Sequence, residues 1–366
     1  MKFRFRHMAI LHVMAAVVLA AVACSRASRE PEDHGEEGTV TLNMRITMRA
    51  GGSGDNTAEL MHTLRIIILD GAGFAEHNAY WNFDNAIKDY TTSSFKVKAN
   101  DTKTILMVAN EESAVLTLPD GSKVSAHDWL TGIDAAAGEY VDMETARGIT
   151  MTLADNFAAD GSMSNGSHYI PMSAVHTYTV GNNRNYSVTF YIHRAAAKYT
   201  FRFTVNDDKN DHTVNSVSIS SVASTEYFFP NATFAEGTDI PQARLLSYVT
   251  PADLTSSNRT FAVTDGKIPA GTKDYVEFGP YYVPEGRVSP SEGYGISFKV
   301  DGTQFPWLPL EPHEIDGATV TNPKDMTDLP RNTHIIVNVT LNPMDFSVSY
   351  TICKWEEHEV VIPGFN

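Results

Sequence analysis

From Val40 to Met48 the chain alternates strictly. Val40, Leu42, Met44, Ile46 and Met48 are apolar, and Thr41, Asn43, Arg45 and Thr47 between them are polar. A period of two over such a stretch predicts a strand with one face buried. Tyr186–Ile192 and Tyr199–Val205 alternate in the same way. Leu64–Leu69, broken only by Arg65, and Ile105–Ala109 are instead short continuous apolar runs, of a length that suits strands. Further strands are predicted at Phe95–Lys98, Val214–Val222, Val276–Val283, Tyr294–Val300, Ile335–Leu341 and Phe346–Ile352. Asp70-Gly71 and recurrent Pro and Gly supply turns at short spacing, as sandwiches require. No long segment has a period of 3.6, and no unit repeats at a fixed spacing. Residues 111–160 are less regular; Val115–Leu118 and Trp129–Ala137 have room for short helices. The pattern predicts an all-β chain with strands in two groups, dividing near residue 193. That gives an N-terminal β-sandwich over residues 39–192 and a C-terminal one over 193–366.

The first residues follow a different rule. Lys2, Arg4 and Arg6 precede an apolar run, Met8–Val22, that ends in small residues and Cys24. A basic head, a short apolar core and small residues before a cut are the marks of a secretory signal. At about 15 residues the apolar core is shorter than a bilayer span. The cysteine at the cut resembles a bacterial lipoprotein signal, although Ala21 stands where that signal prefers a larger aliphatic residue. Residues 1–23 are therefore read as the signal peptide and Cys24 as the lipidation site. Residues 24–38 hold Glu30, Glu32, Asp33, Glu36, Glu37 and Pro31 with almost nothing apolar. Such a segment cannot bury enough surface to fold and reads as a lipidated acidic tether. Arg49 closes the first strand just before Gly51-Gly52-Ser53-Gly54, a loop composition open to a protease.

Charge and composition narrow the function. The net charge is -16, and the signal peptide carries Lys2, Arg4 and Arg6, so the mature chain is more acidic still. Nucleic-acid binding runs on clustered Lys and Arg and is excluded. With two cysteines and one assigned to lipid, Cys353 has no internal disulfide partner and is expected to pack as a small apolar residue. No nucleophile elbow, phosphate loop or His-Glu-x-x-His motif is present, and no cofactor or metal is expected. The run Cys353–His358 lies in a strand, where neighbours point to opposite faces. His127-Asp128 reads as a helix start with Asp128 as cap. Trp81, Trp129, Trp307 and Trp355 are far apart in sequence and read as packing residues.

Several phrases, taken in order, resemble the fimbrillin-like lipoproteins of Bacteroidia, the subunits of type V pili. They are the lipoprotein signal followed by Val40–Met48, then Leu64–Asp70, Lys103–Glu111, Ile170–Ser173 with Phe190–Tyr199, Tyr281–Glu285, Arg331–His334 and the strand with Trp355. The resemblance implies two tandem transthyretin-like β-sandwich domains and no enzymatic activity. It implies a precursor that is lipidated (palmitate) at Cys24 and carried to the cell outer membrane. An Arg-specific protease, with Arg49 as the candidate cleavage point, then removes the first strand. The exchangeable strand is Val40, Leu42, Met44, Ile46 and Met48. A neighbouring subunit refills its place with a C-terminal donor, here Phe346–Phe365 and within it Val360, Val361 and Ile362. The partners implied are other fimbrial subunits in a head-to-tail polymer, the protease, the outer membrane through lipid, and a host or bacterial surface receptor. Alternative readings are a fimbrial anchor subunit that keeps its lipid and a glycan-binding surface lipoprotein.

Overall fold

At β2 and β6 both faces of the central sheet are buried, which explains the two continuous apolar runs. A computed structural model describes residues 38–48, 57–92, 94–153, 169–230, 234–235, 256–289, 291–315, 318–322, 324–342 and 346–354. The first strands are β1 (Thr39–Met48), β2 (Met61–Leu69), β3 (Ala75–Ile87), β4 (Asp89–Thr91), β5 (Phe95–Lys98) and β6 (Asp101–Ala109). They are followed by β7 (Ala114–Thr117), β8 (Lys123–Ser125), β9 (Thr150–Leu153), β10 (Met172–Val180) and β11 (Asn185–Arg194). The sheet runs β3-β2-β6-β10-β11-β1-β4, with β5 also pairing β1. Leu64, Ile66 and Ile68 of β2, with Ile105, Met107 and Ala109 of β6, face an inner core shared with β1 and β11. The alternate residues Ile67, Leu69, Leu106 and Val108 face an outer core. A strand buried on both sides needs apolar side chains at every position, so the period of two disappears.

The outer core is covered by residues 111–153. β8, β7, β9 and Glu226–Tyr227 form a small sheet there. With them lie two short helices, α1 (Ala126–Thr131) and α2 (Met143–Arg147). Two sequence expectations are corrected here. Val115–Leu118 is not helical: β7 buries Ala114 and Leu116 and leaves Val115 and Thr117 half-buried, a strand too short for periodicity to reveal. Helix α1 is capped by Ser125, not Asp128. The Ser125 hydroxyl accepts the Asp128 N–H at 3.0 Å, because an extended residue three positions earlier reaches the open N–H. Within Trp129–Ala137 the helix reaches Thr131, and the Asp134 carboxylate then turns the chain by accepting from the N–H groups of Ala136 and Ala137.

The second half repeats the plan. β12 (Ala197–Val205) and β13 (His212–Ala223) open it. One sheet carries Val276–Val283, β12, Thr333–Leu341 and Phe346–Lys354 in that order; the facing sheet carries Ser256–Ala262, β13 and Gly295–Val300. Between them lies a separate core rich in aromatics, with Tyr199, Phe201, Phe203, Phe261 and Phe298 at its centre. In both halves the leading strand pairs in parallel with a late one: β1 with β11, and β12 with Thr333–Leu341.

Candidate functional site

The site is the slot that holds β1. Its alternation becomes geometry: Val40, Leu42, Met44, Ile46 and Met48 all lie between 0% and 5% exposed. They enter the inner core between the β2–β6–β10 face and Phe95, Val97, Val188, Phe190 and Ile192. Burying five such side chains contributes roughly 8–15 kcal/mol at about 1.5–3 kcal/mol each. That equals the typical net stability of a whole domain, about 5–15 kcal/mol. The slot is also rich in methionine. Met44 and Met48 come from the strand, and Met61, Met107 and Met172 from the core around it. Unbranched thioethers adapt their shape to irregular neighbours.

The two flanks of the strand differ. On one side β11 runs parallel to it in continuous register, Thr41 opposite Asn185 through Met48 opposite Ile192. On the other, β4 pairs at Arg45, Ile46 and Thr47, and the short strand β5 also pairs with β1. Thr92 extends that contact: its N–H donates to the Met44 carbonyl at 2.9 Å and its hydroxyl accepts the Met44 N–H at 3.2 Å. Met48 N–H donates to the Lys88 carbonyl at 2.9 Å. Outward-facing Arg45 meets Asp89 at 3.5 Å with both side chains about half exposed, a pair worth little in water.

Just beyond the slot, the chain is fastened by buried polar groups. Glu59 accepts the Tyr282 hydroxyl at 2.5 Å and the Lys198 ammonium at 3.0 Å. Its carbonyl accepts Arg194 Nε at 3.0 Å. Arg331, also fully buried, donates to Glu285, to the Ser173 hydroxyl at 2.9 Å and to the Tyr227 carbonyl at 2.5 Å. These bonds tie the first core's strands to those of the second. Burial pushes the Glu226 carboxyl far above the usual range, with Glu285 adding and Arg331 opposing.

The remaining sequence candidates separate. Cys24, Arg49, Val360, Val361, Ile362 and Trp355 lie outside the described residues. Phe346–Lys354, the first part of the candidate donor, is committed to its own sheet and pairs with Thr333–Leu341 throughout. Cys353 is buried, its thiol 3.7 Å from the His334 carbonyl. Trp81 packs on Tyr90 and Phe95, and Trp129 on Phe228 and Phe229, while Trp307 is exposed. Sequence reasoning missed one convergence: Glu111, Glu112 and His127, whose ligand atoms lie within 4.8 Å of one another. Arg65 already donates to both Glu111 oxygens, and Tyr80 donates to Glu112 at 2.5 Å. The arrangement is thus an ion-pair network with its cation in place. Its members are up to 66 residues from Arg65, so no local spacing announces it.

No protein-family model matches the sequence, and no curated protein matches it. Among solved structures, the fold is similar to that of the tip fimbrial protein Mfa3 from Porphyromonas gingivalis with C-terminal truncation. That match has a TM-score of 0.56 at 13% identity and covers 87% of this chain and 100% of that one. It is also similar to a fimbrilin, FimA, from the same organism, with a TM-score of 0.50 at 13% identity over 87% of this chain and 98% of that one. The fold is that of the fimbrillins.

Proposed function

We propose that this chain is a structural subunit of a cell-surface fimbria, held at the outer membrane by lipid on Cys24 until cleavage after Arg49 releases β1 for exchange. The fimbrillin fold supports the assignment. The observation that carries the mechanism is the slot: a strand next to the amino end of the fold fills the inner core with five buried side chains, parallel to β11 on one flank and paired with the short strands β4 and β5 besides. Loss of that strand would expose an apolar trench and two sheet edges, which water strongly disfavours. A donated strand restores main-chain hydrogen bonds and refills the pockets with alternate side chains. Glu59 explains why the fold survives the loss. A chain starting at Ala50 is gripped again by Lys198, Tyr282 and Arg194 before β2 begins.

The proposed donor is the C-terminal segment with Val360, Val361 and Ile362. Because the slot and the donor are different segments of the chain, their contact is heterologous and head-to-tail, and it builds an open filament. Two sandwiches meeting near residue 193 would make one such link, joined by the buried Arg194 and Arg331. The partners are other subunits of the filament, an Arg-specific protease and a surface receptor. The test is limited digestion of the purified precursor with a trypsin-like protease. The mechanism expects a product that begins at Ala50 and then polymerises; a chain that stays uncut at Arg49 while its exposed arginines elsewhere are cleaved overturns it.

A further inference from the structure

Away from the slot, residues between Leu118 and Ile149 line an open cavity of ≈ 450 Å³, a volume typical of small-ligand pockets. It belongs to the layer that covers the outer core. Its floor is apolar, formed by Ile133, Val141, Ala146 and Ile149, all buried. Its walls include two aromatic side chains, half-buried Trp129 and Tyr140, which is 56% exposed. Three carboxylates, Asp128, Glu139 and Asp142, also line it.

The chemistry of this lining is one-sided. It contains no lysine, arginine, histidine, asparagine or glutamine. Among the described residues, no cation forms an ion pair with any of the three carboxylates. Asp142 is held as an anion: it accepts the Thr145 hydroxyl at 2.5 Å and the Glu144 N–H at 3.1 Å. These bonds lower its carboxyl below the usual range. Thr145, the one aliphatic hydroxyl present, is spent on that bond. A neutral sugar would meet many acceptors and few donors. A group that only donates, carries positive charge and has an apolar stem satisfies every element at once. Its stem lies on the isoleucine and valine floor, its charge among the carboxylates, and its flat face over the indole or phenol ring.

We propose that this cavity is a docking site for an arginine side chain of a partner protein. Arginine fits better than lysine because its planar guanidinium donates in several directions and stacks on aromatic faces. The inference stands apart from strand exchange, since no residue of the cavity touches the β1 slot.

The test uses the full chain with isoleucine methyl groups labelled for NMR, titrated with acetyl-Gly-Arg-Gly-amide. The expected result is saturable shifts at Ile133 and Ile149, with Ile66 of the inner core unmoved. Half-saturation is expected on the order of 1 mM, as befits one side chain. The double variant Asp128→Asn, Glu139→Gln, both exposed, should weaken binding at least tenfold with an unchanged melting temperature. Added salt should weaken binding too. Absence of shifts up to about ten times that concentration would overturn the proposal. So would equal shifts from the norleucine peptide, from a neutral oligosaccharide or from spermidine, each of which assigns the cavity to a different occupant.

Discussion

Leu42 offers the sharpest test of whether β1 holds the N-terminal half together. It is fully buried in the inner core. Leu42→Ala removes three carbon atoms from a closed site and leaves a cavity, a change that costs about 2–5 kcal/mol. Taking about 3 kcal/mol, and about 2–4 °C per kcal/mol for a unit of this size, the precursor should melt roughly 6–12 °C lower. Arg45→Ala, one pleat away on the exposed face, should cost under about 1 kcal/mol, since its pair with Asp89 is long and wet. Calorimetry and urea unfolding of both precursors read these numbers. A second arm separates burial from exchange. If β1 leaves before assembly, Leu42 is absent from the polymer, and filaments grown from the Leu42→Ala precursor should match wild type in stability. A shift under about 1 kcal/mol in the precursor would refute the slot, and an equal deficit in the filament would show that the strand had never left.

Three other outcomes follow from the buried charges. Arg331→Ala leaves the buried Glu285 carboxylate without its cation and should destabilise the chain by about 3–5 kcal/mol, read by urea denaturation, with the two halves unfolding in separate steps as the bonds to Ser173 and Tyr227 are lost. Glu111→Ala should cost a similar amount by stranding Arg65, whereas the double change Glu111→Leu, Arg65→Met should recover most of it; a double variant no better than the single would reject the ion pair as the cause. His334 sits well below the usual histidine range because of burial, with Lys198 and Arg202 adding to the effect. The unfolded chain then takes up a proton near pH 6.5 that the folded chain resists, so this contribution is full above that pH and falls as the pH drops below it, by up to about 1.4 kcal/mol per pH unit. His334→Gln, which can keep the bond to the Thr200 hydroxyl, should flatten the loss of urea stability between pH 7 and 5.

The strands that were legible in sequence are those where burial falls on one side, as in β1, or on both, as in β2 and β6. β3 was not legible. Its residues run Ala75–Ile87 through Glu76, His77, Asn78, Asn82, Asp84 and Asn85, because an edge strand with both faces half wet needs no apolar period. β10 was not legible as a strand either, since its middle carries buried His176 beside half-exposed Thr177 and Tyr178. Ser125 could have been read as a cap from its place three residues before Asp128, but the more conspicuous His127-Asp128 pair drew the assignment. The polar ties at Glu59 and Arg331 were beyond reach. Glu59 meets Tyr282 across 223 positions, and nothing local marks a glutamate as buried. The acid-lined cavity is similarly hidden, since its floor, rings and carboxylates become neighbours only once the layer over the outer core has folded.

The measurement that bears most directly on the central claim is the N-terminus of the protein taken from its own cells, determined by mass spectrometry in two fractions. Subunits in surface filaments should begin at Ala50, and the membrane fraction should hold chains beginning at lipidated Cys24. Lipidated Cys24 in every fraction, with β1 retained in the filaments, would contradict the account.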